Sequence, residues 1–212
     1  EYHNNSPNEL TFLYFHLWPN AFKNQSTAFA KQQLENGSSR FYYSKSAERG
    51  YIDNLGFEAD GKALQWEYDK KNVDIAKITL NKPLKSGEKV LIQTPFLVKI
   101  PNSFSRLGHV DQSYQITQWY PKPAVYDAKG WHPIPYLDQG EFFSDFGSFE
   151  VTITLPQNYV VGATGELQNP EEMEWLNQKV TETEALSGKF DSKDLSFPPS
   201  SPQLKTITYK QD

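Results

Sequence analysis

Leu10-Thr-Phe-Leu-Tyr-Phe-His16 is the stretch that decides the fold class, because it is a short and almost continuous run of apolar and aromatic residues. The turn-forming sequence Trp18-Pro19-Asn20 comes one residue later. An apolar run of this length, bounded by a turn, is typical of a β-strand that is buried on both faces. We therefore predict a strand over residues 10–16 and a chain built on sheets.

Outward from this strand, the dipeptide Asp60-Gly61 separates two alternating segments, residues 51–58 and 63–68. Both residues tolerate a positive φ, so the sequence predicts a tight hairpin here. Further strands are predicted over residues 73–80, 89–100, 114–119, 148–155 and 159–163, with Pro95 marking an edge or a bulge. Short strands separated by turns favour an antiparallel sandwich or a large curved sheet.

Helices are expected at two places only. Ser26 is predicted to cap a short helix over residues 28–34 that Gly37 ends. Asn169-Pro170-Glu171-Glu172 is a second start signal, for a helix to residue 180. After it, residues 187–201 are polar and proline-rich, which predicts a mobile loop. We therefore predict one all-β domain over residues 1–212, mostly antiparallel, with one or two short helices.

Composition excludes several classes of protein. Hydrophobic residues make up 37% of the chain and aromatic residues 15%, so the core depends more on rings than on aliphatic side chains. The net charge of -5 and the absence of a Lys/Arg run speak against nucleic acid as a partner. The sequence contains no apolar run long enough for a membrane span. Without cysteine, disulfides, thiolate catalysis and Cys-ligated zinc are excluded.

The motif search predicts no catalytic residue and no metal ligand. The four histidines lack the i, i+4 spacing of helical zinc sites. His132 with Asp138, Glu141 and Asp145 could hold a cation, but loop hydrogen bonds and solvated acids are the favoured interpretation. His16 is predicted to be a hydrogen-bonded core histidine. No Gly-x-Ser-x-Gly and no phosphate-binding glycine loop is present, whereas paired carboxylates for glycoside hydrolysis stay open.

Residues 121–146 form a long segment rich in proline, aromatic and acidic residues. Its rings, with the two that precede it, could form a sugar-stacking platform, or they could pin the segment onto a sheet, which we favour because the prolines already stiffen the path. These rings are Trp119, Tyr120, Tyr126, Trp131, Tyr136, Phe142 and Phe143.

Three groups of sequences, taken together, resemble the N-terminal domain of the zinc aminopeptidases of the membrane alanyl aminopeptidase and leukotriene hydrolase type. They are Asn5-Ser-Pro with Leu10-Thr-Phe-Leu-Tyr-Phe-His-Leu-Trp-Pro-Asn-Ala-Phe22; Pro83-Leu-Lys-Ser-Gly-Glu-Lys-Val with residues 96–101; and Ile116-Thr-Gln-Trp-Tyr-Pro-Lys-Pro-Ala-Val-Tyr-Asp127 with Phe149-Glu-Val-Thr-Ile-Thr-Leu-Pro156 and Val160-Val-Gly-Ala-Thr-Gly165. The sequence Trp131-His-Pro-Ile-Pro-Tyr is similar to the bacterial branch of the family.

This resemblance covers nearly the whole chain and implies a saddle-shaped β-domain that walls one side of a peptidase active site. In the family, a Thr-Gln-x-Glu at a strand tip points into that site, where the Gln contacts substrate and the Glu holds the free α-amine. The matching sequence here is Thr117-Gln118-Trp119-Tyr120. The resemblance thus implies substrate contacts from Gln118 and Tyr120, with a neutral phenol in place of the family's carboxylate.

The resemblance also implies what lies outside the chain. The parent would be a zinc metallopeptidase that hydrolyses N-terminal residues from peptides, in the periplasm, at the cell surface or outside the cell. Zinc and the general base would come from a downstream catalytic domain, which would be the partner of this chain. This chain alone would be inactive and would hold no cofactor. Both chain ends look like interrupted strands, which predicts a piece of a longer protein. A downstream domain without zinc ligands, leaving a scaffold or receptor, stays open. The alternative is an extracellular carbohydrate- or protein-binding β-sandwich module.

Overall fold

The chain forms a mostly antiparallel β-structure, with 34% of its residues in strands and 16% in helices, in a computed structural model that describes residues 1–188 and 196–212. The predicted all-β class with one or two short helices is confirmed. The chain divides into two compact units, Glu1–Asp145 and Phe146–Asp212. The single domain over residues 1–212 stays a prediction.

The first unit contains short strands, one α-helix and two 3-10 helices. Its helices are Trp18–Phe22 (3-10), Ala28–Glu35 (α) and Ser46–Glu48 (3-10). Its strands are Tyr2–His3, Leu10–His16, Tyr51–Asp53, Glu58–Ala59, Lys62–Ala63, Gln65–Tyr68, Ile75–Leu84, Lys89–Val90, Ile92–Gln93, Leu97–Lys99, Gly108–Val110, Ser113–Gln115, Lys122–Pro123, Val125–Asp127 and Gly130–His132.

The largest sheet of the first unit contains the strand that the sequence predicts most directly. Its order is Lys122–Pro123, Leu10–His16, Ile75–Leu84 and Gln65–Tyr68, with antiparallel pairing throughout. Leu13 is fully buried in the apolar cluster beneath this sheet. The predicted strand over residues 10–16 is therefore confirmed, and it lies between two partners.

The predicted Asp60-Gly61 hairpin is confirmed, although its arms are shorter than expected. Asp60 and Gly61 have φ values of 51° and 69°, which is the conformation of a two-residue hairpin turn. The strand expected over residues 51–58 is wrong, because Tyr51–Asp53 pairs with Leu97–Lys99 and the chain turns at Asn54, where φ is 58°.

Two other predicted strands are also interrupted. Residues 89–100 form three short strands that belong to three different sheets, with Pro95 between the second and the third. Residues 114–119 are extended only as far as Gln115, and the chain then leaves the hairpin formed with Gly108–Val110. Both errors arise because alternation of residue types does not report which partner a strand finds.

A second core cluster is made almost entirely of rings. Helix Ala28–Glu35 contributes Phe29 to this cluster, and its N-cap is Thr27, whose hydroxyl accepts a hydrogen bond from the Ala30 N–H at 3.2 Å. The predicted Ser26 cap is therefore wrong by one residue. The buried members are Trp18, Ala21, Phe22, Phe29, Ala30, Phe41, Leu107 and Tyr136.

In its described residues, 146–188 and 196–212, the second unit contains a three-stranded antiparallel sheet and one helix. Its order is Phe149–Pro156, Leu204–Gln211 and Glu166–Leu167, and the helix is Pro170–Ala185. The predicted helix after Asn169 is confirmed, but the Asn169 side chain accepts from the Thr208 N–H at 2.7 Å and makes no capping bond. The strand expected over residues 159–163 is not found there.

The loop predicted over residues 187–201 falls largely on residues 189–195, which lie outside the described residues. Among the residues that are described, no helix combines the length and apolar character that crossing a bilayer requires.

Candidate functional site

Gln118 has an unusual backbone conformation in the first unit, with φ at +53°. The other non-glycine residues with positive φ in the described part of the chain are Asn54, Asp60 and Asp111. Asn and Asp visit this left-handed region readily, because their short side chains bond locally, whereas other L-residues are disfavoured by roughly 1–2 kcal/mol. Gln118 is therefore strained in a way that the three turn residues are not, and such strain is common at functional positions.

The neighbours of Gln118 hold it in this conformation. On one side, the Thr117 hydroxyl donates a hydrogen bond to the Arg106 carbonyl oxygen at 2.8 Å. On the other side, the half-buried Trp119 ring packs against Phe96 with centroids 5.8 Å apart. The segment 117–120 is thus anchored at both ends, and the Gln118 side chain is half-exposed between the anchors.

Tyr120 lies next to these anchors and is itself half-buried. Its ring meets Trp119 edge-on, with centroids 5.5 Å apart. Burial raises the pKa of the Tyr120 phenol above its usual value of 10.0. The hydroxyl therefore keeps its proton at neutral pH.

Lys122 brings a positive charge to the same stretch of chain. In the sheet register it lies opposite His16, and its Nζ is 5.3 Å from the centroid of the Trp18 ring. Burial lowers the pKa of the Lys122 ammonium from its usual 10.5. A lysine placed over an indole face forms a cation–π contact, which gains strength as water is excluded.

His16 is fully buried beneath this lysine. Its ring stacks on Trp18 with centroids 4.3 Å apart, and its Nε2 accepts a hydrogen bond from the Ile134 N–H at 3.0 Å. Burial, and secondarily the charge of Lys122, lowers the pKa of His16 to about 4. The imidazole is therefore neutral at physiological pH, and the predicted hydrogen-bonded core histidine is confirmed.

Asp74 is a second buried polar group, and it fixes the loop that covers the ring cluster. Its carboxylate accepts a hydrogen bond from the Tyr136 N–H at 2.7 Å, and its backbone carbonyl accepts from the Leu17 N–H at 2.7 Å. Burial raises the pKa of Asp74 to about 6, although the bond from Tyr136 opposes that shift. The residue thus connects Leu17, just before Trp18, to the proline-rich segment.

His132 and the acidic residues that follow it in the sequence are the candidate cation ligands of the proline-rich segment. His132 pairs with Asp127, with Nε2 and Oδ1 2.8 Å apart, and Asp138 accepts from the buried Gln33 amide at 3.0 Å. The hydrogen bond from His132 lowers the pKa of Asp127. Within the described ranges, no group of three or more His, Asp or Glu side chains is placed to hold a metal ion, so His132, Asp138, Glu141 and Asp145 do not form such a group.

The aromatic rings of the proline-rich segment mostly contact other rings. Trp131 packs among four of them, namely Tyr2, Phe12, Tyr14 and Tyr126, at centroid distances between 5.0 and 6.4 Å. Tyr136 is fully buried in the ring cluster, and Phe142 packs on it. The prediction that these rings pin the segment onto a sheet is therefore confirmed for Trp131, which packs on strand Leu10–His16. Tyr136 and Phe142 pack instead on the ring cluster contributed by the helices, and Phe143 is 42% exposed.

Sequence reasoning missed the residues that surround Gln118 and Tyr120. Lys122 sits in a Pro-Lys-Pro sequence and Asp74 precedes a strand, and neither position carries a motif. Only the packing shows that both are withdrawn from water. A single charged residue between two prolines, or directly before an apolar strand, is the one local signal that could have drawn attention to them.

Comparisons of this chain with family models, with curated proteins and with solved structures found no match. The fold and the site define a mostly antiparallel β-protein in which Gln118, with its strained backbone, is close in sequence to the half-buried Tyr120 and Lys122.

Proposed function

We propose that this chain is the non-catalytic N-terminal domain of a zinc aminopeptidase-like protein and that it forms one wall of the cleft that binds the peptide. Gln118 and Tyr120 are the residues that contact the peptide in this proposal. Its partners are the downstream catalytic domain and the peptide, and its location is the periplasm, the cell surface or the extracellular space.

The strained backbone of Gln118 is the observation that carries the proposal. A folded chain gains nothing from a left-handed glutamine unless the side chain is needed in that place, since glycine or asparagine would adopt the same backbone more cheaply. The resemblance identifies the same residue independently, through its sequence neighbours rather than its geometry. Agreement of the two arguments on one residue supports a binding role.

The chemistry available to the wall is hydrogen bonding. The Gln118 amide offers two donors and an acceptor, which suits a peptide backbone, and the Tyr120 phenol is uncharged. In the family, zinc activates the water that attacks the peptide bond. In this proposal zinc and the general base come from the downstream domain, and this chain alone is inactive.

Peptide binding to the 212-residue chain tests the proposal. We expect a short peptide with a free N-terminus to shift the backbone amide signals of residues 117–122 in two-dimensional NMR. Gln118→Ala removes the side-chain hydrogen bonds and should weaken binding about threefold to tenfold. Gln115→Ala is the matched control, because it removes an exposed glutamine three positions earlier. Equal binding by the two variants, or no shift in this segment, would contradict the proposal.

A second measurement separates the proposal from its alternatives. The purified chain, supplied with zinc, should release no chromophore from aminoacyl chromogenic substrates, and turnover that survives repeated purification and is abolished by a chelator would overturn the non-catalytic role. A carbohydrate-binding module would instead bind immobilised glycans and lose that binding on Trp119→Ala or Trp131→Ala.

A further inference from the structure

The sheet of the second unit has an unpaired edge at strand Phe149–Pro156, called the edge strand below. This strand pairs with the middle strand, Leu204–Gln211, in a register that runs without a shift over its whole length. The third strand, Glu166–Leu167, lies on the other side of the middle strand. Within the described part of the chain, the edge strand therefore has a partner on one side only, and its free side presents backbone groups that a further strand can use.

The hydrogen bonds around the edge strand show which of its backbone groups point outward. The Gln157 N–H donates to the Gln203 carbonyl oxygen at 2.8 Å, and this pair continues the register of the two strands. Because the direction alternates along an antiparallel strand, the odd-numbered residues of the edge strand point toward the middle strand and the even-numbered residues point away from it. The carbonyl of Thr208, which lies opposite Thr152, accepts from the Gln168 N–H on the far side at 2.8 Å, as this alternation requires.

Three exposed residues, Glu150, Thr152 and Thr154, thus direct their backbone N–H and C=O groups out of the sheet. Within the described part of the chain, these outward groups form no hydrogen bond. Natural sheets usually prevent pairing at such an edge with a bulge, a proline or an unpaired charge. Here the proline is Pro156, at the last position of the strand, and the Glu150 carboxylate is paired with Lys210 at 3.1 Å. The edge is therefore open to a further strand.

We propose that the edge strands of two copies of this chain pair antiparallel about a two-fold axis at Thr152. In this register Thr152 lies opposite the same residue of the other copy, and Glu150 lies opposite Thr154 of the other copy. It is the register that pairs all three outward residues with one another, so every outward N–H finds an outward C=O. The resulting dimer is isologous, and its two three-stranded sheets join into one.

The exposed face of the edge strand is complementary to itself in this register. The axis brings two Thr152 side chains together, and Thr152 already forms a threonine pair with Thr208 of the middle strand, with their hydroxyl oxygens 3.0 Å apart. Such cross-strand threonine pairs stabilise a sheet. The two Glu150 carboxylates lie at opposite ends of the paired segment, four positions apart or about 13 Å, and each faces the neutral Thr154. The pairing therefore brings no like charges together.

The opposite face of the edge strand also fits a second copy. The half-buried Val151 lies opposite Ile153 of the other copy, so that β-branched side chains meet across the strands. Other positions of the axis are less favourable. An axis at Glu150 would place two carboxylates directly opposite each other, and an axis at Thr154 would set Thr152 against Pro156, which has no N–H. The side chains thus support the register that the backbone groups select.

Disulfide trapping tests the register directly, because the chain contains no cysteine of its own. Thr152→Cys places two thiols opposite each other at the axis, within the Cα separation that a disulfide spans. Mild oxidation should therefore convert most of this variant to a covalent dimer. Thr154→Cys is the matched control, because its two thiols lie about 13 Å apart along the paired strands, beyond the reach of a disulfide. It should stay mostly monomeric on a denaturing gel.

Sedimentation velocity of the 212-residue chain, from low to high micromolar concentrations, tests the association itself. Wild type should show a reversible monomer–dimer equilibrium. Thr152→Pro removes an outward N–H from each copy without removing a backbone bond to the middle strand, and it should weaken dimerisation about tenfold to a hundredfold. Thr152→Lys keeps the N–H but sets two charges against each other at the axis, and it should also weaken dimerisation. Thr208→Val loses the same hydroxyl contact from the middle strand and should dimerise like wild type.

Several results would overturn the proposal. They are a chain that is monomeric at every concentration, a dimer that Thr152→Pro and Thr152→Lys both leave unchanged, and equal cross-linking of the two cysteine variants. A monomeric chain whose edge-strand amide signals shift on addition of an extended peptide would also overturn it and would assign the edge to a peptide. These measurements do not involve Gln118, so their outcome is independent of the proposed function.

Discussion

Replacing Asp74 by asparagine should remove a large part of the pH dependence of stability. Burial raises the pKa of Asp74 from its usual 3.8 to about 6, and each pKa unit corresponds to about 1.36 kcal/mol. The folded state therefore prefers the protonated carboxyl. The stabilisation that the protonated Asp74 carboxyl gives the folded state is fully present below about pH 3.8. It is lost as the pH rises through 6, which lowers the free energy of unfolding by about 3 kcal/mol. The amide of the Asp74→Asn variant does not titrate, and its oxygen can still accept from the Tyr136 N–H.

The assay is urea unfolding, followed by tryptophan fluorescence, of wild type and Asp74→Asn at several values between about pH 3 and pH 8. The free energy of wild type minus that of the variant should fall by about 3 kcal/mol across this range. Asp60→Asn serves as the control, because it removes a carboxylate that is exposed at the hairpin turn. A wild-type-minus-Asp74→Asn difference that stays constant with pH would refute the reasoning that burial controls this group.

Two further predictions concern stability. Burial lowers the pKa of His16 from 6.5 to about 4, so the stability that depends on the neutral imidazole is complete above about pH 6.5 and is lost as the pH falls through 4. Between pH 7 and pH 4, the free energy of unfolding of His16→Gln should therefore decrease by about 3 kcal/mol less than that of wild type in the same urea assay. Identical acid sensitivity of the two proteins would contradict this prediction. Thr27→Ala removes the helix cap and the hydrogen bond to the Ala21 carbonyl at 2.7 Å, so thermal unfolding should show a loss of about 1–2 kcal/mol in the free energy of unfolding. The control Ser26→Ala should stay within about 0.5 kcal/mol of wild type. A larger loss in Ser26→Ala than in Thr27→Ala would identify Ser26 as the cap.

Local signals predicted those parts of the fold that depend on local physics. The strand over residues 10–16 is a dense apolar run, and the Asp60-Gly61 turn depends on the tolerance of two adjacent residues for positive φ. Residues 89–100 alternate as one strand would, but three different partners divide them, and strand partners are not encoded in alternation. Thr27 and Ser26 are equally good caps by residue type, so only the reach to the Ala30 N–H distinguishes them.

The site was less accessible to sequence reasoning. Only the family resemblance points to Gln118, and nothing about a glutamine predicts a left-handed backbone. Lys122 and Asp74 gain their properties from burial or from ring contacts made by residues distant in the chain. Such tertiary effects on single charged groups carry no periodic or motif signature.

The most direct test of the central claim is the peptidase activity of the complete polypeptide encoded by the reading frame that contains this chain. We predict chelator-sensitive release of N-terminal residues from peptides, with kcat/KM reduced about threefold to tenfold or more by Gln118→Ala and unchanged by Gln115→Ala. Activity that is absent, or activity that Gln118→Ala leaves at the level of Gln115→Ala, would contradict the claim that this segment walls the peptide cleft.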